Sequence, residues 1–234
     1  MHQAGTARLE GGKAALVGLA IALLLTLTAC SGGVTEGLTT GAISTASASA
    51  SAELGTSGPL EEKVLGRADA PITVIEYASL GCPICGVFHQ KVFPKFKTGY
   101  IDSGKVRYVY REFPIGKSSA AAAHAARCAP DSQYFRMNDR FMATRGRWNA
   151  REPSNDLLYK IVQETGLTRA AFDSCMANQK ISEGIDWVKQ RGRKLGVKGT
   201  PTFFINGQQV RGYLSYDELR QHLDKQLKLA ANPA

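Results

Sequence analysis

The residues with the clearest chemistry in this chain are Cys82 and Cys85, two positions apart around Pro83 and Ile84 in the stretch G-C-P-I-C-G. Cysteines at that spacing can hold a metal, staple a turn, or pass a disulfide to another molecule. A zinc site needs further ligands. The nearest histidine is His89, and the sequence has neither a second C-x-x-C nor a closely spaced histidine pair, so no metal is expected. His89 itself reads as a surface or packing residue. From Pro83 the pattern turns helical, with Val87, Phe88, Val92, Phe93 and Phe96 at three- and four-residue steps. Cys82 then stands at a helix N-terminus, where unpaired N–H groups and the positive dipole end favour a thiolate. Pro83 fits the first helical position because its missing N–H is not needed there. Cys85 lies on the same face but deeper. Cys82 is therefore expected to be the accessible nucleophile and Cys85 the resolving thiol.

The elements that must position this pair follow from the flanking pattern. I-T-V-I-E-Y at 72–77 reads as a strand ending just before the cysteines, and 105–113 reads as a second. Pro94 should kink the helix after Cys85 or end its first segment. A long helical stretch covers roughly 117–195, with punctuation near Pro130, Pro153 and Gly166. T-F-F-I-N, Gly207 and Q-Q-V-R-G predict a β-hairpin. A closing helix should run from about Ser215 to Leu227, with Ser215 and Glu218 at capping-box spacing. Strand, helix, strand, helical block, hairpin, helix is an α/β order with a helical insertion.

The five cysteines stand at 30, 82, 85, 128 and 175. Arg8 and Lys13 precede an uncharged apolar run at 14–29, laid out like an export signal. Its end, L-T-A-C, resembles the lipobox of bacterial lipoproteins, in which the cysteine corresponding to Cys30 is lipidated after cleavage. An uncleaved anchor helix with an incidental cysteine is the alternative; either places the rest of the chain outside the cytoplasm. Cys128 and Cys175 are then expected to form a structural disulfide, against two free thiols or a regulatory pair. Residues 30–60, rich in Ser, Thr, Gly and Ala, read as a flexible tether spanning about 30 Å on average and about 100 Å at full stretch. The folded domain is expected over 61–234. The surplus of 29 Lys+Arg over 20 Asp+Glu is scattered among acidic residues, and no nucleic-acid reader motif accompanies it.

Gly199-Thr200-Pro201-Thr202, just before the hairpin, completes the pattern. Together with V-I-E-Y-A-S-L-G-C-P-I-C-G-V-F-H-Q-K-V-F-P and V-R-Y-V-Y-R-E-F-P, it makes residues 64–227 similar to the DsbA family of extracytoplasmic thiol:disulfide oxidoreductases. The resemblance implies a thioredoxin-like fold whose helical insertion, about 117–180, lies between the second strand and a cis-Pro hairpin. It implies Cys82 as nucleophile, Cys85 as resolving thiol, and Thr200 and cis-Pro201 as a substrate-contacting loop beside Pro83 and Ile84. Glu76 matches a buried acid that serves proton transfer in the family; the plain alternative is a strand residue facing solvent or paired with Lys or Arg. Best-known members have His at the position of Ile84, so a less stabilised Cys82 thiolate is expected here. The implied partners are reduced exported polypeptides and a membrane redox protein that reoxidises the enzyme. A monomer is expected, and no cofactor, since no nucleotide, flavin or metal motif is present. A reductase or isomerase, or a non-catalytic client-binding lipoprotein, are the competing functions.

Overall fold

The computed structural model describes residues 54–56 and 58–232. The apolar run, Cys30 and most of the expected tether lie outside them. Five strands, β1 (Lys63–Leu65), β2 (Ile72–Ala78), β3 (Val106–Glu112), β4 (Thr202–Ile205) and β5 (Gln208–Arg211), form one sheet in the order β1-β3-β2-β4-β5. β2 and β3 run parallel, while the pairs β1–β3, β2–β4 and β4–β5 are antiparallel. β2 lies at the centre and is buried almost throughout, which explains its nearly unbroken apolar composition.

Strand parity divides the core. Ile72, Val74, Ala78, Tyr108, Tyr110 and Phe203 face the larger cluster, which includes the helix bearing Cys85 and much of the insertion. Ile75, Tyr77, Val109 and Phe204 face a smaller one with Val188 and Val197. Both faces of the sheet are therefore covered, and every residue of β2 except Thr73 is buried.

The helices follow the expected order. α1 (Pro83–Lys91) gives way to α2 (Phe93–Phe96), with Pro94 in the first turn of the second segment. Proline lacks the N–H that a continuous helix needs, so the segment breaks there. The insertion comprises α3 (Lys117–Arg127), α4 (Tyr134–Ala143), α5 (Arg145–Trp148), α6 (Asn155–Val162), α7 (Arg169–Met176) and α8 (Gln179–Lys194). α9 (Tyr216–Ala231) closes the fold with the Ser215–Glu218 capping box in place. Among the described residues, no helix is long and apolar enough to cross a membrane.

Two boundaries differ from expectation. β1 is only three residues long, too short for alternation to be read, and it exists because it can pair with β3. Packing also begins before Glu61. Leu54 is buried, its carbonyl accepts a 2.6 Å hydrogen bond from Arg111 Nη2, and the Leu60 side chain lies against Gly184. A few apolar residues in a polar stretch suffice to dock it, which an averaged composition conceals. The end of the expected tether thus belongs to the fold.

Cys128 and Cys175 are joined, linking the C-terminal end of α3 to α7. Closing a loop across 47 positions restricts the unfolded chain by about 4 kcal/mol in the chain-entropy model. His124 lies within 4.8 Å of both sulfurs. Those sulfurs are bonded to each other, and His124 Nε2 donates to the Cys175 carbonyl at 2.9 Å.

Candidate active site

The loop from β2 into α1 is set by two buried serines. Ser79 Oγ and Ser119 Oγ lie 2.9 Å apart, and Ser119 Oγ also accepts from Gly81 N at 3.0 Å. A Cβ on Gly81 would lie 2.2 Å from that hydroxyl, so only glycine lets the backbone approach so closely. The Ser79 carbonyl then accepts from Cys82 N at 3.0 Å. These contacts hold Cys82 at the N-cap of α1 with an extended backbone (φ −78°, ψ 121°).

At the cap, Cys82 Sγ accepts from Cys85 N at 3.5 Å and lies 3.4 Å from the Thr200 carbonyl, to which it donates only when protonated. Thr200 comes from across the chain, in the loop that the cis Thr200–Pro201 bond leads into β4. The Pro201 carbonyl is occupied by Gly212 N at 2.9 Å. Pro83 occupies the first turn of α1, and Ile84 presents an apolar side chain to solvent, 46% exposed. A groove of about 300 Å³ runs beside them, lined by Pro83, Gly86, Val87, Met142 and Gly146.

The two sulfurs differ sharply in environment. Both are free thiols, Cys82 half-buried and Cys85 fully buried. A hydrogen bond from the Cys85 thiol pulls Cys82 down most strongly. Burial opposes it, and the Thr200 side chain with the backbone N–H groups of Cys85 and Ile84 adds to the lowering, leaving Cys82 at about 5 instead of 9.0. For Cys85 the order is reversed: burial first, then the bond to Cys82 and the charge of Glu76, push its thiol far above the ordinary value. One sulfur is a thiolate at neutral pH and the other is firmly a thiol.

Glu76, whose charge acts on Cys85, is 0% exposed. Its parity on β2 points it into the larger core, opposite Tyr110 on β3 and Phe203 on β4. Its Oε2 accepts from Tyr108 Oη at 2.5 Å and lies 3.2 Å from His89 Nε2. The ion partner is thus a histidine, not the Lys or Arg that the plain reading offered. His89 is not at the surface either. It stacks on Phe93 at 4.8 Å, with Nδ1 3.2 Å from Asp139 Oδ1 on α4. Burial pulls its imidazole down, but the charge of Glu76 and the bonds to Asp139 and Glu76 outweigh that and raise it to about 9.

Cys82, Cys85, Glu76, Thr200, Pro83 and Ile84 are thus brought together. His89, Asp139, Tyr108, Ser79 and Ser119 join them without having been anticipated. A signal for His89 was available. It stands four residues after Cys85 on α1, hence on the buried face.

Cys82 alkylation followed against pH should rise through a midpoint near about 5 and level off by neutrality, while Cys85 stays unmodified. An Ile84→His variant should move the midpoint lower still, because a protonated imidazole adds a charge beside the sulfur. A midpoint near the ordinary thiol value, or identical curves for the two proteins, would contradict these assignments.

A family model described as thioredoxin matches residues 60–225. A protein named as a protein-disulfide oxidoreductase in Rickettsia bellii is 32% identical over 176 residues, covering 73% of this chain. The chain spans 66% of that relative's length, just under two thirds. A protein named for disulfide bond formation in Bacillus anthracis is 30% identical, with 71% of this chain and 79% of the relative covered. Among solved structures, α-DsbA1 of Wolbachia pipientis superposes with a TM-score of 0.71 at 34% identity, over 77% of this chain and 98% of that one. With the family model covering most of the chain and these relatives and this structure beside it, the chain belongs to the thioredoxin family, in its DsbA-like branch.

Proposed function

We propose that this protein is a thiol:disulfide oxidoreductase that donates a Cys82–Cys85 disulfide to cysteines of exported polypeptides. The opposed environments of the two sulfurs carry the reading. A substrate thiolate attacks Cys82 Sγ, the Cys82–Cys85 bond breaks, and Cys85 leaves and takes up a proton. A second substrate thiolate then attacks the substrate sulfur of the mixed disulfide, and Cys82 departs as a thiolate. A leaving thiol with a low pKa leaves fast. Thr200, Pro201, Pro83 and Ile84, around the half-buried Cys82, would receive the extended substrate chain by strand addition. Glu76 supplies and removes the Cys85 proton. Reoxidation belongs to a membrane redox partner, whose disulfide Cys82 attacks before Cys85 completes the exchange.

A protein with this task works outside the cytoplasm. The apolar run at 14–29 and L-T-A-C ending at Cys30 support export and attachment through a lipidated Cys30, which several acyl chains would make stable.

Replacing Cys85 with Ser should trap mixed disulfides between Cys82 and reduced polypeptides, visible on non-reducing gels and lost on reduction. Cys82→Ser should trap none and should abolish exchange; retention of exchange in Cys82→Ser would dismiss the mechanism. Mass analysis of the mature full-length protein should find Cys30 at the N-terminus carrying lipid, and an unmodified Cys30 would remove the anchor.

A further inference from the structure

The Cys85 proton has to cross a sealed interior. Cys85 and Glu76 are both 0% exposed, so a carboxylate that takes this proton cannot hand it to water directly. A polar path leads out from Glu76. Glu76 Oε2 meets His89 Nε2 at 3.2 Å, and His89 Nδ1 meets Asp139 Oδ1 at 3.2 Å. The His89 side chain is 2% exposed and that of Asp139 is 53% exposed. The other titratable groups facing this path are Tyr108 and Tyr110 from β3 and Cys85 from α1 itself. Tyr108 Oη is committed to Glu76 Oε2, whereas Glu76 Oε1 has no hydrogen-bond partner, and the charge of Glu76 is felt at Cys85.

We propose that His89 and Asp139 form the proton port of the buried pair: when Cys85 passes its proton to Glu76, His89 gives up its outer Nδ1 proton to water through Asp139, and the reverse transfer draws one back. This rests on Glu76 being the Cys85 proton acceptor. The protons balance. In the dithiol state Cys85 holds one proton and His89 carries one on each ring nitrogen. On closure of the disulfide Cys85 Sγ bonds to Cys82 Sγ, Glu76 keeps the proton of Cys85, His89 becomes neutral with its Nε2 proton still on Glu76 Oε2, and one proton reaches solvent. The two electrons leave with the thiolate expelled from Cys82. No step requires His89 to turn its ring. The reason is electrostatic: an imidazolium beside a neutral acid in the core has lost its counter-charge, and burial then favours the neutral ring. The raised His89 value in the dithiol state, about 9, agrees with this. His89 and Asp139 thereby act on Cys85 only through Glu76, as positioning and proton-passing residues, and the insertion contributes to the chemistry through Asp139.

The test reacts the reduced full-length protein with the chromogenic disulfide of 2-nitro-5-thiobenzoate in stopped flow. The first thiolate released reports attack by Cys82, and the second reports attack by Cys85 on the mixed disulfide. Asp139→Asn, at a half-exposed site tolerant of change, should slow the second phase about tenfold and leave the first unchanged. His89→Ala should slow the second phase further, and added imidazole should restore it in proportion to its concentration, with no response from the unsubstituted protein. A second phase at the original rate in Asp139→Asn, or a slowed His89→Ala protein indifferent to imidazole, overturns the port. Glu76→Gln separates the two ideas: if it alone slows the second phase, the port is wrong and Glu76 stands. If it has no effect, the role of Glu76 is wrong.

Discussion

Between Cys82 and Cys85 the chain crosses from the protein surface into its core in one helical turn, and most of the surrounding structure serves that crossing. The first sulfur caps α1, where N–H groups of the first turn stabilise its anion. The second is sealed in the main core, the cluster that includes Phe88, Ala122 and Met142, where an anion has no such support. A disulfide across this boundary is biased towards reduction, because reducing it yields a stabilised thiolate on one side and an uncharged thiol on the other. The sign follows directly. With Cys82 at about 5 and an unfolded thiol near 9, the reduced fold gains stability as pH rises between those values and loses it as pH falls through the lower one. In the disulfide form Cys82 makes no such contribution.

Holding a thiol in the core creates a second requirement, a buried base, and the sheet meets it. β2 runs parallel to β3 at the centre of the sheet, so Glu76 sits opposite Tyr110, and Tyr108 two residues earlier on β3 reaches its carboxylate. Burying a carboxylate costs several kcal/mol unless it is paired and hydrogen-bonded. His89, one turn along α1 from Cys85, provides the pairing. Glu112 shows the contrasting arrangement: it is also buried, but its two oxygens are taken by the Arg127 guanidinium and Tyr134. It is a closed structural pair, whereas Glu76 keeps one oxygen unpaired.

Much of this arrangement was legible in the residues. The C-P-I-C start, the order of elements, the break at Pro94, the capping box at Ser215 and the pairing of Cys128 with Cys175 all rest on local rules or on counting. What the pattern left out is mostly tertiary. β1 exists only through its pairing with β3. Leu54 and Leu60 dock through isolated apolar contacts. His89 became a member of the site because α4 brings Asp139 over it and β2 places Glu76 beneath it, contacts separated by 50 and 13 residues. The parity of Glu76 was readable along β2. That both faces of the sheet are covered was not, and this coverage makes Glu76 a buried acid.

The reduction potential of the Cys82–Cys85 pair tests the central asymmetry most directly. The protein is equilibrated in glutathione buffers, and the peptide holding both cysteines is assayed by mass so that Cys128 and Cys175 do not contribute. A stabilised Cys82 thiolate over a buried Cys85 thiol predicts a value towards about −120 mV, at which disulfides flow to substrates. A value near about −270 mV would mean that the disulfide is the favoured state and that electrons flow the other way.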